Sequence, residues 1–224
     1  RETGSLSNLL PGHREAADPE HRAEVAAYWG VEQLPASPGL SAMELFEQMR
    51  SGRIKALWIA CTNPAQSLPD QNRVHEALLN CPFVVLQEAF ATTETAAFAD
   101  LLLPAASWGE KQGSVTNSER RVSHVRQAVA APGEARADWA ITVDFAQRLE
   151  RFLRPGLPSL FAFDSAARVF DEYKGLTRGR DLDLSGLSHE LLDRLGPQQW
   201  PFPEGATQGT ERLYVHGIFP TANG

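Results

Sequence analysis

Apolar positions change their spacing several times along this chain, and each change marks an element. Residues 19–29 follow helical spacing, with Asp18 placed to cap the amino end, Pro19 suited to the first turn and Glu20 near the positive end of the helix dipole. Gly30 offers a left-handed cap at the other end. Ser41 and Glu44 form a capping box before Ala42–Arg50, whose Leu45, Phe46 and Met49 are helically spaced, and Gly52 stops it. Next come three short apolar runs suited to strands buried on both faces: IKALWIA at Ile54–Ala60, FVVL at Phe83–Leu86 and ADLLLP at Ala99–Pro104. Pro69–Leu79 predicts a helix with Val74, Leu78 and Leu79 inward, and Thr92–Phe98 a shorter one. Strands alternating with helices predict a parallel sheet with right-handed crossovers. Val122–Val129 alternates like a strand or hairpin arm. Ala137–Leu153 is the clearest amphipathic helix, with a broad apolar side from Trp139 to Phe152.

After Arg154-Pro155-Gly156-Leu157-Pro158 the texture loosens. Helices are expected at Phe163–Tyr173 and Ser188–Leu195, then irregular chain over Pro197–Pro203 and Gly205–Gly209. This reads as a linker and appended segment rather than a second complete core. The expected division is therefore a connecting segment over 1–40, an α/β domain over 41–154 and an appendage over 155–224. A start at Arg1 and an end at Thr221–Gly224, in what reads as a turn, mark the chain as a piece of something longer.

Composition narrows the function classes. The 224 residues are 42% hydrophobic and 22% charged, ordinary globular usage. A net charge of −7 argues against a general nucleic-acid binder. No apolar run approaches the roughly 20 residues that span a bilayer. Only Cys61 and Cys81 are present, which excludes a disulfide scaffold and an all-cysteine zinc site and fits a reducing cytoplasm. Cys61 reads as a small core residue, and the six histidines, scattered without ligand spacing, as surface positions. The tryptophans read as core or interface packing, with Trp200 set to pack an irregular segment.

In a parallel sheet, ligands bind outside the carboxyl ends of the strands. Three loops fall there: Cys61-Thr62-Asn63-Pro64, Gln87 to Thr93, and Pro104–Glu110 leading into Gly113 to Arg121. Their chemistry suits a nucleotide. Glu88 stands where an acid takes a ribose hydroxyl pair, Asn63 and Gln87 suit a base edge, and Thr92 and Thr93 suit phosphate. Plainer roles stand beside these: Asn63-Pro64 as a turn, Glu88 as a solvated strand-end acid, Thr92 as a helix cap, Asn117 and Glu119 as loop order. Neither G-x-G-x-x-G nor G-x-x-x-x-G-K-[ST] occurs, so an ordinary NAD site and a P-loop are unsupported. No catalytic residue and no metal ligand stands out.

The stretch KALWIACTNPAQSLPD, continuing through VHEALLNCPFVVLQEAFATTETAAFADLLLPAASWGEKQGSVTNSERRV, resembles the third domain of the molybdopterin-guanine-dinucleotide oxidoreductases. The flanks RETGSLSNLLPGHR, HRAEVAAYWG, GEARADWAI and GPQQWPFPEG are similar to the assimilatory nitrate reductase branch. The resemblance implies a three-layer αβα, doubly wound, mainly parallel sheet, a Rossmann-like domain holding the guanosine end of one molybdopterin guanine dinucleotide. It implies that Asn63 and Ser67 face the guanosine and its phosphates, Gln87 and Glu88 the guanine-ribose portion, and Thr92 and Thr93 the diphosphate. Asp100 would lie at the base of the third strand, and Asn117, Glu119 and Arg120 in an ordered loop. The family often has aspartate where this chain has Glu88, and a more glycine-rich first loop.

For the parent protein the resemblance implies bis-molybdopterin guanine dinucleotide with molybdenum, and a 4Fe-4S cluster whose ligands lie outside this chain. It also implies an electron-donor protein or subunit, reduction of nitrate to nitrite in the cytoplasm, and a fragment inactive alone. The alternatives are another family member such as a formate dehydrogenase, a non-catalytic scaffold like the large iron–sulfur subunit of NADH–quinone oxidoreductases, or a folding or interaction module.

Overall fold

The computed structural model describes residues 9–219, so the turn expected at residues 221–224 lies outside the described residues. In chain order the elements are β1 (Leu9–Leu10), β2 (Arg14–Glu15), α1 (Pro19–Trp29), α2 (Ala42–Arg50), β3 (Leu57–Ala60), α3 (Pro64–Ser67), α4 (Gln71–Asn80) and β4 (Val84–Glu88). They continue with β5 (Leu101–Pro104), β6 (Gly113–Thr116), β7 (Arg121–Val125), α5 (Asp138–Leu153), α6 (Ala166–Thr177), α7 (His189–Leu195) and β8 (Gln198–Gln199). Two compact units share them. One comprises Gly39–Lys111 and Gln127–Ala146; the other takes the described residues before Gly39, Gln112–Arg126 and the described residues from Gln147 on.

The first unit carries the parallel sheet; it lacks residues 112–126 and 147–154 of the span expected for the α/β domain, and the described residues before Gly39, expected as a connecting segment, fall with the other unit. Its parallel sheet has the order β3-β4-β5, with Leu57 opposite Val84 and Val85 opposite Leu101; among these three strands the order does not reverse. Alternation along the strands explains the layers. Ile59, Val84 and Leu86 point to one face, into a core with Phe46 and Met49 of α2 and Val74, Ala77 and Leu78 of α4. Trp58 points the other way and meets Phe145 of α5 edge-on at 4.9 Å between centroids. Leu79 was expected inward but is 74% exposed, because it lies about 100° around the helix from Leu78. The helix also starts later than expected: Asp70, at φ 55°, keeps Pro69 and itself outside it. The expected helix over Thr92–Phe98 is a 3-10 turn over Glu94–Phe98.

The caps of α1 and α2 form as expected. Asp18 accepts from the amides of Glu20 and His21, Gly30 adopts φ 66°, and Ser41 and Glu44 satisfy each other's backbone amides.

The other unit corrects the expectation of an appendage without a core. Val122 of β7, Phe170, Leu182, Leu184, Leu187, Leu192, Trp200 and Phe202 form a buried cluster. The 163–173 helix is displaced to Ala166–Thr177, capped by Ser165, and the stretch expected to be irregular contributes β8, which pairs antiparallel with β7. At the amino end, β1 and β2 form a tight hairpin around Pro11-Gly12-His13. Arg14 is buried there, donating to Pro11 O at 2.9 Å, to Leu176 O at 2.6 Å and to Glu24 at 2.7 Å.

Two of the histidines also depart from expectation. His124 and His189 stack at 4.0 Å between centroids, and Phe170 continues the stack beyond His189. His189 is 7% exposed. Burial first, and the neighbouring His124 second, hold its imidazole below the ordinary histidine value.

Candidate functional site

The carboxyl ends of β3 and β4 emerge side by side because Ala60 pairs with Gln87. Chain direction then diverges sharply at Cys61, which sits at φ 55° and donates its amide to Gln87 O at 2.9 Å. Cys61 is exposed, not a core residue as expected, since its left-handed backbone turns the chain out of the sheet.

Gln87 is on the face opposite Leu86, and this directs its side chain toward the start of α5. Its Nε2 donates to Asp138 Oδ1 at 2.7 Å. Cys61 Sγ reaches the same oxygen at 3.0 Å, while Lys111 Nζ pairs with Oδ2. Burial raises the Asp138 carboxyl, but the donors Lys111, Cys61 and Gln87 together outweigh it and leave the group below its ordinary value. The Cys61 thiol is pushed up to about 11, by partial burial first and by Asp138 second. It is therefore held as the thiol near neutrality, the less nucleophilic form.

Asn63 is a bracket between two loops. Its Oδ1 accepts from the Thr95 amide at 3.0 Å and the Thr95 hydroxyl at 2.7 Å, and its Nδ2 donates to Gln66 at 3.2 Å and Glu94 at 2.6 Å. Thr95 Oγ1 in turn accepts from the Ala65 amide at 3.1 Å. Ser67 donates to Asn63 O at 3.0 Å. Every polar atom of the Asn63 side chain thus serves to fix the β3 and β4 loops against each other.

Two polar atoms in this cluster are buried without a partner: Gln87 Oε1 and Thr93 Oγ1. Thr93 occupies the cap position of the 3-10 turn but makes no side-chain cap bond. Thr92 is exposed. Glu88 is half-buried, with Oε1 accepting from the Ala89 amide at 2.7 Å.

Two of the expected residues do not join the cluster. Asp100 accepts from the Val84 amide at 2.7 Å, at the amino end of β4, roughly 13 Å along the strand from Glu88. Asn117 belongs to the other unit, where its Oδ1 accepts from the Glu119 and Arg121 amides at 3.1 and 2.9 Å and closes the β6–β7 turn. Next to it, Arg120 donates to Trp200 O, to Thr210 O at 3.0 Å and to Glu211 O at 2.8 Å. The loop is ordered by these bonds.

Asp138, Lys111, Glu94 and Thr95 were not foreseen. Asp138 carried one faint signal, an acid in the first turn of a helix, which says nothing of its distant partners. No group of three or more His, Cys, Asp or Glu able to hold a metal occurs among the described residues.

The Molybdopterin oxidoreductase family profile matches residues 4–148. The chain belongs to that family. Among relatives, it is 44% identical to a nitrate reductase of Synechocystis sp. over all of this chain and 31% of that protein. It is 41% identical to the assimilatory nitrate reductase catalytic subunit of Bacillus subtilis, over 97% of this chain and 30% of that subunit. The chain thus spans about a third of the length of these relatives. Among solved structures, acetylene hydratase from Pelobacter acetylenicus superposes with a TM-score of 0.55 at 22% identity, covering 70% of this chain and 20% of the other. At that identity the likeness is one of fold. Membership gives the parallel sheet and its strand-end loops a family context, and no helix among the described residues is long and apolar enough to cross a membrane.

Proposed function

We propose that this chain is the part of a molybdenum nitrate reductase that holds the guanosine end of a molybdopterin guanine dinucleotide. The observation that carries the reading is the pair of buried, unpartnered polar atoms, Gln87 Oε1 and Thr93 Oγ1, at the carboxyl end of a parallel sheet. A buried acceptor and a buried hydroxyl without partners each cost about 1–3 kcal/mol, a cost that a bound ligand offsets. A guanine edge offers N–H donors to Gln87 Oε1. A ribose diol offers O–H donors to the Glu88 oxygen that Ala89 leaves open, and phosphate oxygens accept from Thr93 and Thr92. Asn63 and Ser67 act mainly by fixing the loop that the nucleotide lies against. Asp100 and Asn117 act through the sheet and the β6–β7 turn.

When bound, the group supplies two-electron redox chemistry at molybdenum for converting nitrate to nitrite. In this reading the residues above anchor a nucleotide tail and so fix where the metal stands; none is a catalytic acid or base. The parent then holds a second dinucleotide and a 4Fe-4S cluster on segments outside this chain, receives electrons from a donor protein in the cytoplasm, and the fragment alone is inactive. The relatives named nitrate reductase, matched along the full length of this chain, support that assignment over the scaffold reading.

The test is calorimetric titration of the chain with GDP and with ADP. The expected result is a preference for GDP over ADP, with Glu88→Ala weakening both nucleotides about tenfold because it removes the contact to the ribose they share. Equal affinity for the two nucleotides, or a Glu88→Ala chain that binds GDP as tightly as the wild type, would overturn the reading.

A further inference from the structure

In the unit that contains α1 and α6, a cavity of about 340 Å³ is lined by Tyr28, Trp29, Leu34, Phe161, Phe163 and Glu172, among others. Its volume is at the small end of ligand pockets. We propose that this cavity is a binding site for a small organic ammonium ion, held by the aromatic faces and by the Glu172 carboxylate.

Among the described residues, four aromatic side chains and one acid line the space, and no lysine, arginine or histidine does. Aromatic faces carry negative electrostatic potential, so a cation near them is attracted where a neutral group of the same shape is not. Glu172 is half-buried, and burial raises its carboxyl above the ordinary value, opposed by a hydrogen bond from Trp29. Among the described residues this carboxylate has no positive partner of the kind that makes burial of a charge tolerable. An inserted ammonium meets both needs, while an apolar occupant would leave the charge enclosed without compensation.

The walls are also held in place. Tyr28 donates its hydroxyl to Glu172 O at 3.1 Å, and Gly175 permits that approach, since a Cβ there would lie 2.1 Å from the hydroxyl oxygen. The tyrosine therefore ties the end of α1 to the helix that carries Glu172. The site lies within the other compact unit from the strand-end loops and stands independently of the nucleotide reading.

The test is calorimetric titration of the full chain with choline and with 3,3-dimethylbutan-1-ol, its neutral isostere. Choline is expected to bind at one site, about tenfold more tightly than the alcohol. Glu172→Gln should bring choline down to the affinity of the alcohol and leave the alcohol unchanged. Phe163→Leu keeps an apolar wall but removes a ring, and should weaken choline severalfold while circular dichroism confirms the fold. Equal binding of choline and alcohol by the folded chain, or no choline binding in the tens of millimolar, would overturn the proposal.

Discussion

Gln87 and Asp138 meet at 2.7 Å although 51 residues separate them, and their bond ties the end of β4 to the first residue of α5. Cys61 and Lys111 converge on the same carboxylate, so four segments are held by one acidic side chain. Asp138→Ala should cost about 1–2 kcal/mol of stability at pH 7, the lower part of the range for orphaned donors because the site is partly solvated. The Asp138 carboxyl is lowered in the folded chain, so its contribution is present above the unfolded value of 3.8 and is lost as pH falls through the folded value. Urea unfolding of both chains should therefore show a gap at pH 7 that closes below about pH 3.8. A gap that persists undiminished in acid would contradict the electrostatic origin.

Cys61 is exposed yet its thiol is pushed up to about 11. Carboxymethylation at pH 8, followed by mass spectrometry, should find it modified more slowly than a free cysteine. Asp138→Asn removes the adjacent negative charge and should speed the reaction. Wild-type Cys61 reacting at the rate of the free amino acid would show that the carboxylate does not control it.

His189 is held below its ordinary value by burial and by stacked His124, with Ser114 Oγ at 2.9 Å from its Nε2. Because the folded value is the lower one, the unfolded chain binds the extra proton; stability is full above 6.5 and declines as pH falls toward the folded value. The wild-type denaturant midpoint is expected to decline between pH 7.5 and 5.5, and His189→Phe should flatten that decline. An equally steep decline in the variant would place the acid sensitivity elsewhere.

Gly12 adopts φ 74°, and a Cβ there would lie 2.8 Å from Leu176 O and 2.6 Å from Arg14 Nη1. The backbone oxygen cannot retreat without disturbing the bond it receives from Arg14. Gly12→Ala should cost about 1–3 kcal/mol, read as a lowered urea midpoint, whereas alanine at open Gly133 should cost less. Equal costs at the two positions would mean that the close approach to Leu176 is not limiting.

Helices α1 and α2 were legible in the sequence almost to the residue, because Asp18, Gly30, Ser41 and Glu44 act on backbone groups within four positions of themselves. The three strands were legible as apolar runs, and with them the place of Gln87, Glu88 and Asn63 at the strand ends, since direction along a parallel sheet decides which loops lie together. Nothing local revealed what those side chains bond to. The Asn63–Thr95 and Gln87–Asp138 pairs span 32 and 51 residues, and their partners were chosen by how the loops and α5 come to lie against the sheet. The second core was hidden for a related reason. Leu182, Leu184, Leu187, Trp200 and Phe202 lie outside every helix and strand, in runs too short to set a period, and only their convergence with Val122 and Phe170 makes a hydrophobic cluster. Local hydrogen bonding and periodicity are properties of neighbouring residues and can be read from the chain, whereas burial and charge pairing depend on which distant segments share a volume.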